Sequence, residues 1–513
     1  MKHSKSIDKV LIYFPDTGGY NFTPPYEVLF QVKALQNSGV EIILADSRTD
    51  NVKEIIDQNK DNLLLVIIST LIKYTSITIS RQYTDGLKIA EYTKRNSDAW
   101  TLWTGLAASI LTDKIIEKNY NNFVLTGISD NKINAFIESL RNKQSFNLIP
   151  SLVYKENGQI NKNEDDKYYN SFKDYGNFDF NKIDLKPYIH NQTLDYIASN
   201  GCVNSCSFCS VPNIYCQHWN HNSIENILAH FEYIFDKYQE IKIIHFRDDN
   251  FLVNKSFIHG LLKTLEEKNI RFIWSAQTSV NILKNFTEND LIALHNSGCN
   301  NISIGVESGD DYILEKVTKS KTTKTESIEQ IKKLIKSNIT VSVTSIISFP
   351  YNNGRDFNKT LRFLMKLKLL YPNLSIYCTV LQPIPGSEIY KEIYDSIKDF
   401  SEDLLNNNKW TSVKKRHKLK KFESFYFIFD RKDFYKSLPE ELGNDLKIIN
   451  KFFSPLIKLR FRCRCTNLMW EYEITKNRIR KIKYKHNINS ESILSDVGIR
   501  HLTSNYNYGF KSK

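Results

Sequence analysis

The chain has 513 residues and a mass of 60.0 kDa, which predicts about three domains at roughly 100–200 residues each. Its 41% hydrophobic and 25% charged residues are close to the globular average and exclude global disorder. No apolar run approaches the roughly 20 residues of a membrane span, and the first residues lack the apolar stretch of a secretory signal. We therefore expect a cytoplasmic protein with no membrane span.

Residues 9–141 alternate strand-like and helix-like patterns. The five predicted strands are Lys9–Phe14, Val40–Ala45, Leu63–Ser69, Ala99–Trp103 and Asn122–Thr126. Such alternation is typical of a Rossmann-like, doubly wound parallel sheet, which binds ligands beyond the carboxyl ends of its strands. The expected rim of that site is Pro15–Gly19, Ser69–Leu71, Thr104–Gly105 and Gly127–Ile128.

A second α/β pattern follows a polar, irregular segment, residues 146–190, which we interpret as a linker. The strands predicted within residues 191–395 are Leu194–Ser199, Ile241–Phe246, Arg271–Gln277, Asn301–Val306, Thr340–Ile347 and Leu374–Val380. Six β/α units in this length predict an open (β/α)6 barrel. The active site of an α/β barrel lies at the carboxyl ends of its strands.

Residues 396–513 show weaker patterns and are expected to form a mostly helical, basic C-terminal region. Within 401–513 there are 25 basic and 12 acidic residues, so this segment carries the whole net charge of +13. A basic segment can bind nucleic acid or an acidic partner. The alternative is compositional, because the whole chain is rich in Lys, Asn and Ile.

The eight cysteines are clustered, and none occurs in the first 201 residues. Cys202, Cys206 and Cys209 have the spacing C-x3-C-x2-C directly after the first barrel strand, which favours a metal site in a reducing compartment over a disulfide framework. Three thiolates can bind three irons of a [4Fe–4S] cluster and leave the fourth iron open to a ligand. A structural zinc site remains the alternative; it needs a fourth ligand, for which Cys216, His218 and His221 are candidates.

This cysteine loop resembles the signature of the radical S-adenosylmethionine (radical SAM) superfamily, with Phe208 in the aromatic position before the last cysteine. The resemblance implies that SAM binds the open iron through its amino and carboxylate groups. An electron, supplied by a donor such as flavodoxin or ferredoxin, then cleaves SAM to a 5′-deoxyadenosyl radical, which abstracts a hydrogen from carbon. The cofactors supply this reactivity, and the protein positions and shields them.

Further motifs at the barrel strand ends are similar to those of the same superfamily. Asp248 and Asp249 end the second strand, and Gly305-Val-Glu307-Ser-Gly309 ends the fourth. The resemblance implies that Asp249 and Glu307 contact SAM. For the Asp pair, a helix cap is the alternative. Segments 347–350 and 382–386 follow the fifth and sixth strands and are expected to shape the adenine and substrate pocket.

The N-terminal segment resembles the cobalamin (B12)-binding domain that precedes this barrel in one branch of the superfamily. Ser69, Leu71, Gly105 and Gly127 are the implied cobalamin contacts. The Asp-x-His-x-x-Gly element of many cobalamin domains is absent, and His3 is the only histidine before His190. We therefore expect no histidine of this domain beneath the cobalt. A domain of this fold that binds no cofactor is the alternative.

The resemblance implies a cobalamin-dependent methyltransferase acting on an unactivated carbon of a small-molecule or natural-product substrate. A cyclase or rearrangement enzyme of the same branch is the first alternative, and a tRNA-modifying or nucleic-acid-binding protein is the second. Modification enzymes of that class carry a small C-terminal β-barrel, which residues 401–513 do not predict, so nucleic acid is not the expected partner. Cys463-Arg-Cys465 would hold an auxiliary cluster only with a further cysteine pair. The predicted domains are thus 1–145, 146–190, 191–395 and 396–513.

Overall fold

The computed structural model describes part of the chain. The described residues are 8–17, 23–70, 76–165, 170–347, 349, 355–381, 384, 386–393, 440–463, 474 and 477. By their contacts they fall into two compact units. The first is Met1–Thr278, Asn296–Cys299 and Gln382–Asn406; the second is Ser279–His295, Asn300–Leu381 and Asn407–Lys513.

The N-terminal region of the first unit contains a seven-stranded sheet. Its strands are β1 Lys9–Phe14, β2 Glu41–Asp46, β3 Leu63–Ser69, β4 Trp100–Thr104, β5 Phe123–Leu125, β6 Leu152–Glu156 and β7 Gln159–Lys162. The order is β2-β1-β3-β4-β5-β6-β7, and the first five strands are parallel. This confirms the predicted doubly wound sheet, whose order 2-1-3-4-5 has its switch point between β1 and β3.

Two of these strands were not predicted, because they lie in the segment interpreted as a linker. β6 pairs antiparallel with β5, and β7 pairs antiparallel with β6 as the second arm of a hairpin. β7 is an edge strand with the polar sequence Gln-Ile-Asn-Lys, mostly exposed, so it lacks the alternation that marks a half-buried strand.

Helices cover both faces of the sheet. They are α1 Tyr26–Ala34, α2 Val52–Asn59, α3 Ser76–Asn96, α4 Gly105–Ile110, α5 Thr112–Ile116 and α6 Asp130–Asn142. Because side chains alternate along a strand, Val10 and Ile12 of β1 pack with α1 and α6, whereas Leu11 and Tyr13 pack with α2 to α5. The sheet is therefore buried on both sides in its parallel part.

The first unit continues with short helices and the start of the second α/β region. These elements are α7 Ser171–Tyr175, β8 Thr193–Tyr196, β9 Ser199–Gly201, α8 Val211–Ile214, β10 Trp219–His221, α9 Ile224–Lys237, β11 Ile243–Phe246, α10 Lys255–Glu267 and β12 Ile273–Ser279. Two 3-10 turns, Phe180–Lys182 and Lys186–Tyr188, follow α7. β11 pairs in parallel with both β8 and β12.

The remaining strands and helices complete the α/β pattern. They are α11 Val280–Leu283, α12 Glu288–Asn296, β13 Cys299–Glu307, α13 Lys324–Lys336, β14 Thr340–Ile347, α14 Arg355–Leu370, β15 Ser375–Val380, α15 Glu388–Ile393 and α16 Glu440–Cys463, with a π-helical turn at Ile313–Val317. β14 pairs in parallel with β13 and β15. The strand order β15-β14-β13-β12-β11-β8 confirms the open six-stranded barrel sheet.

The predicted helical C-terminal region is represented in the described residues by α16, which contains Pro455. Cys465 and most of residues 396–513 lie outside the described residues. None of the helices in the described part of the chain is both long and apolar enough to span a membrane.

Candidate active site

The cysteine loop lies between the two strands of a small antiparallel sheet. Gly201 of β9 pairs with Trp219 of β10, and Ser199 pairs with His221. The sequence predicted one strand through Ser199; instead β8 ends at Tyr196, and β9 starts a separate ladder. This small sheet closes the base of the loop that carries Cys202, Cys206 and Cys209.

The backbone conformation of residue 201, directly before the first cysteine, requires a glycine. Its φ of +79° is in the left-handed region, and a Cβ built there would lie 2.1 Å from the carbonyl oxygen of His218. Its N–H donates to Asp249 Oδ2 at 2.8 Å. Asp249 therefore fixes the backbone from which the cysteine loop starts.

Asp248 holds the other end of β9. Its carboxylate is fully buried and accepts hydrogen bonds from the backbone N–H and the hydroxyl of Ser199. The alternative that the Asp pair caps a helix is wrong, since the N-cap of α10 is Asn254, whose side chain accepts from the N–H of Phe257 at 3.0 Å. The pair supports the strand that leads into the cysteine loop.

Asn250 contacts a cysteine directly and was not singled out from the sequence. Its Nδ2 lies 3.5 Å from Cys202 Sγ, and its Oδ1 accepts a hydrogen bond from Thr278 Oγ1 at 2.7 Å. Burial raises the pKa of the Cys202 thiol. In the sequence, Asn250 is marked only by its position after the Asp pair. Its contact with Thr278 could not be predicted, because it depends on how the fold brings β12 beside Asn250.

The segment after β15 packs on the cysteine loop. The N–H of Ile389 donates to the carbonyl oxygen of Ser207 at 2.9 Å, and Asn213 Nδ2 donates to the carbonyl oxygen of Gly386. Within the loop, the N–H of Cys209 donates to the carbonyl oxygen of Cys206 at 3.1 Å, which closes a tight turn. Phe208 in this turn is partly exposed.

The chemistry of the loop fits an iron–sulfur cluster. All three cysteines are partly buried on one short loop, and three thiolates are the ligands that such clusters take from a protein. Within the described ranges, no three His, Cys, Asp or Glu side chains are arranged to bind a single metal ion. In a four-iron cluster each thiolate binds a different iron. The three cysteines therefore need not converge on a single metal ion.

Glu307, in the second unit, has the features of a functional carboxylate. It ends β13 at a register shift after Gly305, and its φ of +52° is left-handed. Its carboxylate folds back so closely that a Cβ on Gly305 would lie 2.1 Å from Glu307 Oε1. Burial raises the pKa of Glu307 to about 7, and no described residue hydrogen-bonds to this carboxylate. Strained backbone and a perturbed carboxylate together are typical of functional sites.

Two hydroxyls without hydrogen-bond partners among the described residues lie at the carboxyl ends of β1 and β3, the strands that flank the switch point of the N-terminal sheet. Ser69 ends β3 and Thr17 follows β1; both are buried, and neither hydroxyl has a partner among the described residues. A buried hydroxyl without a partner costs roughly 1–3 kcal/mol, and a ligand or water at this edge would remove that cost. These hydroxyls fit the polar rim of a cofactor at this edge.

The other predicted rim residues have different surroundings. Gly105 has a φ of +87°, and its Cβ would lie 1.9 Å from the carbonyl oxygen of Thr70, so close packing of two strand ends requires a glycine there. Gly127, with a φ of +71°, has nothing within 4 Å of a built Cβ, and its N–H donates to Ser109 Oγ at 2.9 Å. Leu71 lies outside the described residues, as do Gly18 and Gly19.

A polar contact ties the N-terminal region to the first barrel strand within the first unit. Asp195 of β8 accepts a hydrogen bond from Thr23 Oγ1 at 2.6 Å and forms an ion pair with Arg247 at 3.0 Å. Its burial opposes ionisation, but the charge of Arg247 and the hydrogen bond from His245 hold the pKa of Asp195 well below its ordinary value. Tyr26 also donates to the carbonyl oxygen of Asp195 at 2.9 Å.

Residues 196–364 match the family model of the radical SAM superfamily. An uncharacterized methyltransferase of Pyrococcus horikoshii is 26% identical over 309 residues, which are 59% of this chain and 63% of that protein. A bacteriochlorophyllide d C-12(1)-methyltransferase of Chlorobaculum tepidum is 23% identical over 298 residues, which are 56% of this chain and 58% of that protein. The chain thus spans less than two thirds of the length of either relative.

Solved structures have the same fold. A cobalamin-dependent SAM radical enzyme, OxsB, has a TM-score of 0.69 and 12% identity, with 96% of this chain and 83% of that chain covered. The radical SAM methyltransferase TsrM of Kitasatospora setae, solved with cobalamin and a [4Fe–4S] cluster bound, has a TM-score of 0.64 and 15% identity, with 76% of this chain and 78% of that chain covered. Residues 196–364 are thus similar to the radical SAM superfamily, and the chain shares its fold with these solved structures.

Proposed function

We propose that this chain is a cobalamin-dependent radical SAM enzyme that methylates an unactivated carbon of a small-molecule or natural-product substrate. The observation that carries the proposal is the cysteine loop between β9 and β10, whose base is fixed by Asp249 and whose first thiol contacts Asn250. We propose that Cys202, Cys206 and Cys209 bind a [4Fe–4S] cluster. When bound, this cluster supplies the electron that cleaves SAM.

The side chains around the loop have separate roles in this proposal. Asp249 orients the loop through Gly201 and places its charge toward the SAM ammonium or ribose. Glu307 is the second carboxylate for SAM, since a buried carboxylate with a raised pKa gains a counter-charge when a cationic ligand arrives. Phe208, partly exposed in the tight turn, packs beside the bound SAM.

The N-terminal sheet is proposed to bind cobalamin at its switch point. Ser69 and Thr17 offer unpaired hydroxyls there, and Leu71, Gly105 and Gly127 remain proposed contacts. Support also comes from the TsrM and OxsB structures, which were solved with cobalamin bound. Because no histidine occurs between His3 and His190, no imidazole of this region is proposed beneath the cobalt.

We propose the domain limits 1–145 for the cobalamin domain and 191–395 for the barrel, with β6 and β7 extending the first sheet past residue 145.

The electron comes from a protein donor such as flavodoxin or ferredoxin. In the proposed reaction one SAM gives up its methyl group and becomes S-adenosylhomocysteine. A second SAM accepts one electron and yields methionine and 5′-deoxyadenosine, which has taken up the hydrogen of the substrate carbon. A second electron from the same donor balances the joining of the methyl group to the resulting carbon radical.

The test is anaerobic purification with cobalamin present, followed by iron and cobalt analysis and by mass spectrometry of the products of labelled SAM. Formation of both S-adenosylhomocysteine and 5′-deoxyadenosine by a cobalt-containing protein supports the proposal. Formation of 5′-deoxyadenosine alone, without retained cobalt, would favour a cyclase or rearrangement enzyme of the same superfamily. Absence of iron and of both products would contradict the proposed function.

A further inference from the structure

The side-chain amide of Asn250 donates a hydrogen bond to a cysteine of the loop. It is 2% exposed, and its Nδ2 lies 3.5 Å from Cys202 Sγ. The distance is that of a weak hydrogen bond to sulfur, whose large radius lengthens such contacts relative to those with oxygen. The donor thus approaches the proposed cluster from the protein interior.

The amide is held with its donor side toward the sulfur. Thr278 Oγ1 donates to Asn250 Oδ1 at 2.7 Å, so the oxygen of the amide faces β12 and the nitrogen faces Cys202. Trp219 Nε1 donates to the backbone oxygen of Asn250 at 2.9 Å, which fixes the main chain beneath the side chain. Two strands, β10 and β12, therefore set the orientation of one amide.

A hydrogen-bond donor beside Cys202 Sγ interacts with the negative charge of the cluster. A hydrogen bond to an anionic acceptor is stronger than one to a neutral acceptor, and hydrogen bonds to the sulfurs help to set the reduction potential of an iron–sulfur cluster. Reduction adds negative charge that spreads onto the thiolates. An N–H that points at a thiolate therefore stabilises the reduced cluster more than the oxidised one.

We propose that Asn250 is a positioning residue that raises the reduction potential of the cluster through its hydrogen bond to Cys202. This inference rests on the proposed function, since it requires a cluster on the cysteine loop. It adds a role for a residue outside the cysteine motif and outside the two carboxylates. Thr278 takes part indirectly, by orienting the amide.

The test is a redox titration of the anaerobically reconstituted full chain, monitored by electron paramagnetic resonance, together with iron analysis. Asn250→Leu removes the donor at similar volume, and Thr278→Val removes the hydroxyl that orients it. Asn220→Leu is the matched control, since Asn220 lies in β10 and its buried Nδ2 has no partner among the described residues. Iron content separates loss of the cluster from a change in its potential.

Asn250→Leu is expected to keep its iron and to show an about tenfold lower ratio of reduced to oxidised cluster at a fixed potential, equivalent to about 59 mV for a one-electron couple. Thr278→Val should shift the ratio less, in the same direction, and Asn220→Leu should match the wild type. If Asn250→Leu loses its iron, the midpoint potential of Thr278→Val tests the inference instead, and a lower midpoint than that of the wild type supports it.

An unchanged midpoint in both Asn250→Leu and Thr278→Val would overturn the inference and leave the proposed function standing. Loss of iron from both variants would show a structural role instead and would also overturn it. A wild-type protein that binds no cluster would overturn the proposed function together with the inference.

Discussion

Replacing Gly201 by alanine tests the geometry at the base of the cysteine loop. The residue has a φ of +79°, which costs an L-residue with a side chain about 1–2 kcal/mol. The new Cβ would also lie 2.1 Å from the carbonyl oxygen of His218, and forcing a methyl group into such a contact adds roughly 1–3 kcal/mol. The expected destabilisation is therefore roughly 2–5 kcal/mol, the sum of these two contributions.

Gly158 provides a matched control, because its φ is +80° and nothing lies within 4 Å of a built Cβ. Gly158→Ala should lose only the conformational part, about 1–2 kcal/mol. The assay is urea unfolding of both variants followed by fluorescence, with iron per chain measured after anaerobic reconstitution. Gly201→Ala should also lose iron, since Gly201 directly precedes Cys202 and donates its N–H to Asp249.

Equal destabilisation by the two alanine substitutions, with full iron content in both, would refute this reasoning. It would mean that β9 does not approach His218 as closely as the ladder with β10 requires. If Gly201→Ala is destabilised more than Gly158→Ala but retains its iron, then Gly201 is needed for the stability of the small sheet and not for binding of the cluster.

Three further predictions follow from the carboxylates and the rim hydroxyl. Burial raises the pKa of Glu307 from its ordinary 4.5 to about 7, so the folded state binds the proton more tightly and the unfolding free energy should fall as pH rises from 4.5 to 7. Glu307→Gln should reduce this fall, leaving the part due to Asp130, whose pKa burial also raises to about 7, and should weaken SAM binding in calorimetry; an unchanged pH profile would contradict the assignment. Ser69→Ala should leave the unfolding free energy unchanged or raise it by about 1 kcal/mol, because an unsatisfied hydroxyl is removed, while lowering retained cobalt; unchanged cobalt would argue against Ser69 as a contact. Asp249→Asn keeps an acceptor for Gly201 and should retain iron but bind SAM more weakly, whereas Asp249→Ala should lose both; full iron in the alanine variant would show that this hydrogen bond is dispensable.

The sequence predicts the α/β frame well where hydrophobic runs are long. β14 has the predicted bounds, Thr340–Ile347, and β1 and β3 also match, because each is a buried strand with a nearly continuous apolar or β-branched sequence. β6 and β7 were missed, since a polar edge hairpin has no such signal. The same limit applies to β9 and β10, which have three residues each.

The candidate site is predictable in its motifs but not in its contacts. The cysteine spacing and the carboxylates can be seen in the sequence because ligand chemistry requires those residue types. The function of Asp248 and Asp249 as acceptors for the β9 backbone cannot, since it depends on β9 leaving the barrel sheet after Tyr196. The approach of Asn250 to Cys202 likewise depends on Thr278, which is 28 residues away along the chain.

The central claim is that the three loop cysteines bind the cluster that cleaves SAM. The most direct measurement is the yield of 5′-deoxyadenosine from SAM and a chemical reductant, compared between the reconstituted wild type and a Cys202→Ala, Cys206→Ala, Cys209→Ala triple variant. The wild type should contain iron and form 5′-deoxyadenosine, and the triple variant should form none while its circular dichroism stays that of a folded protein. Formation of 5′-deoxyadenosine by the triple variant at the wild-type rate would contradict the account.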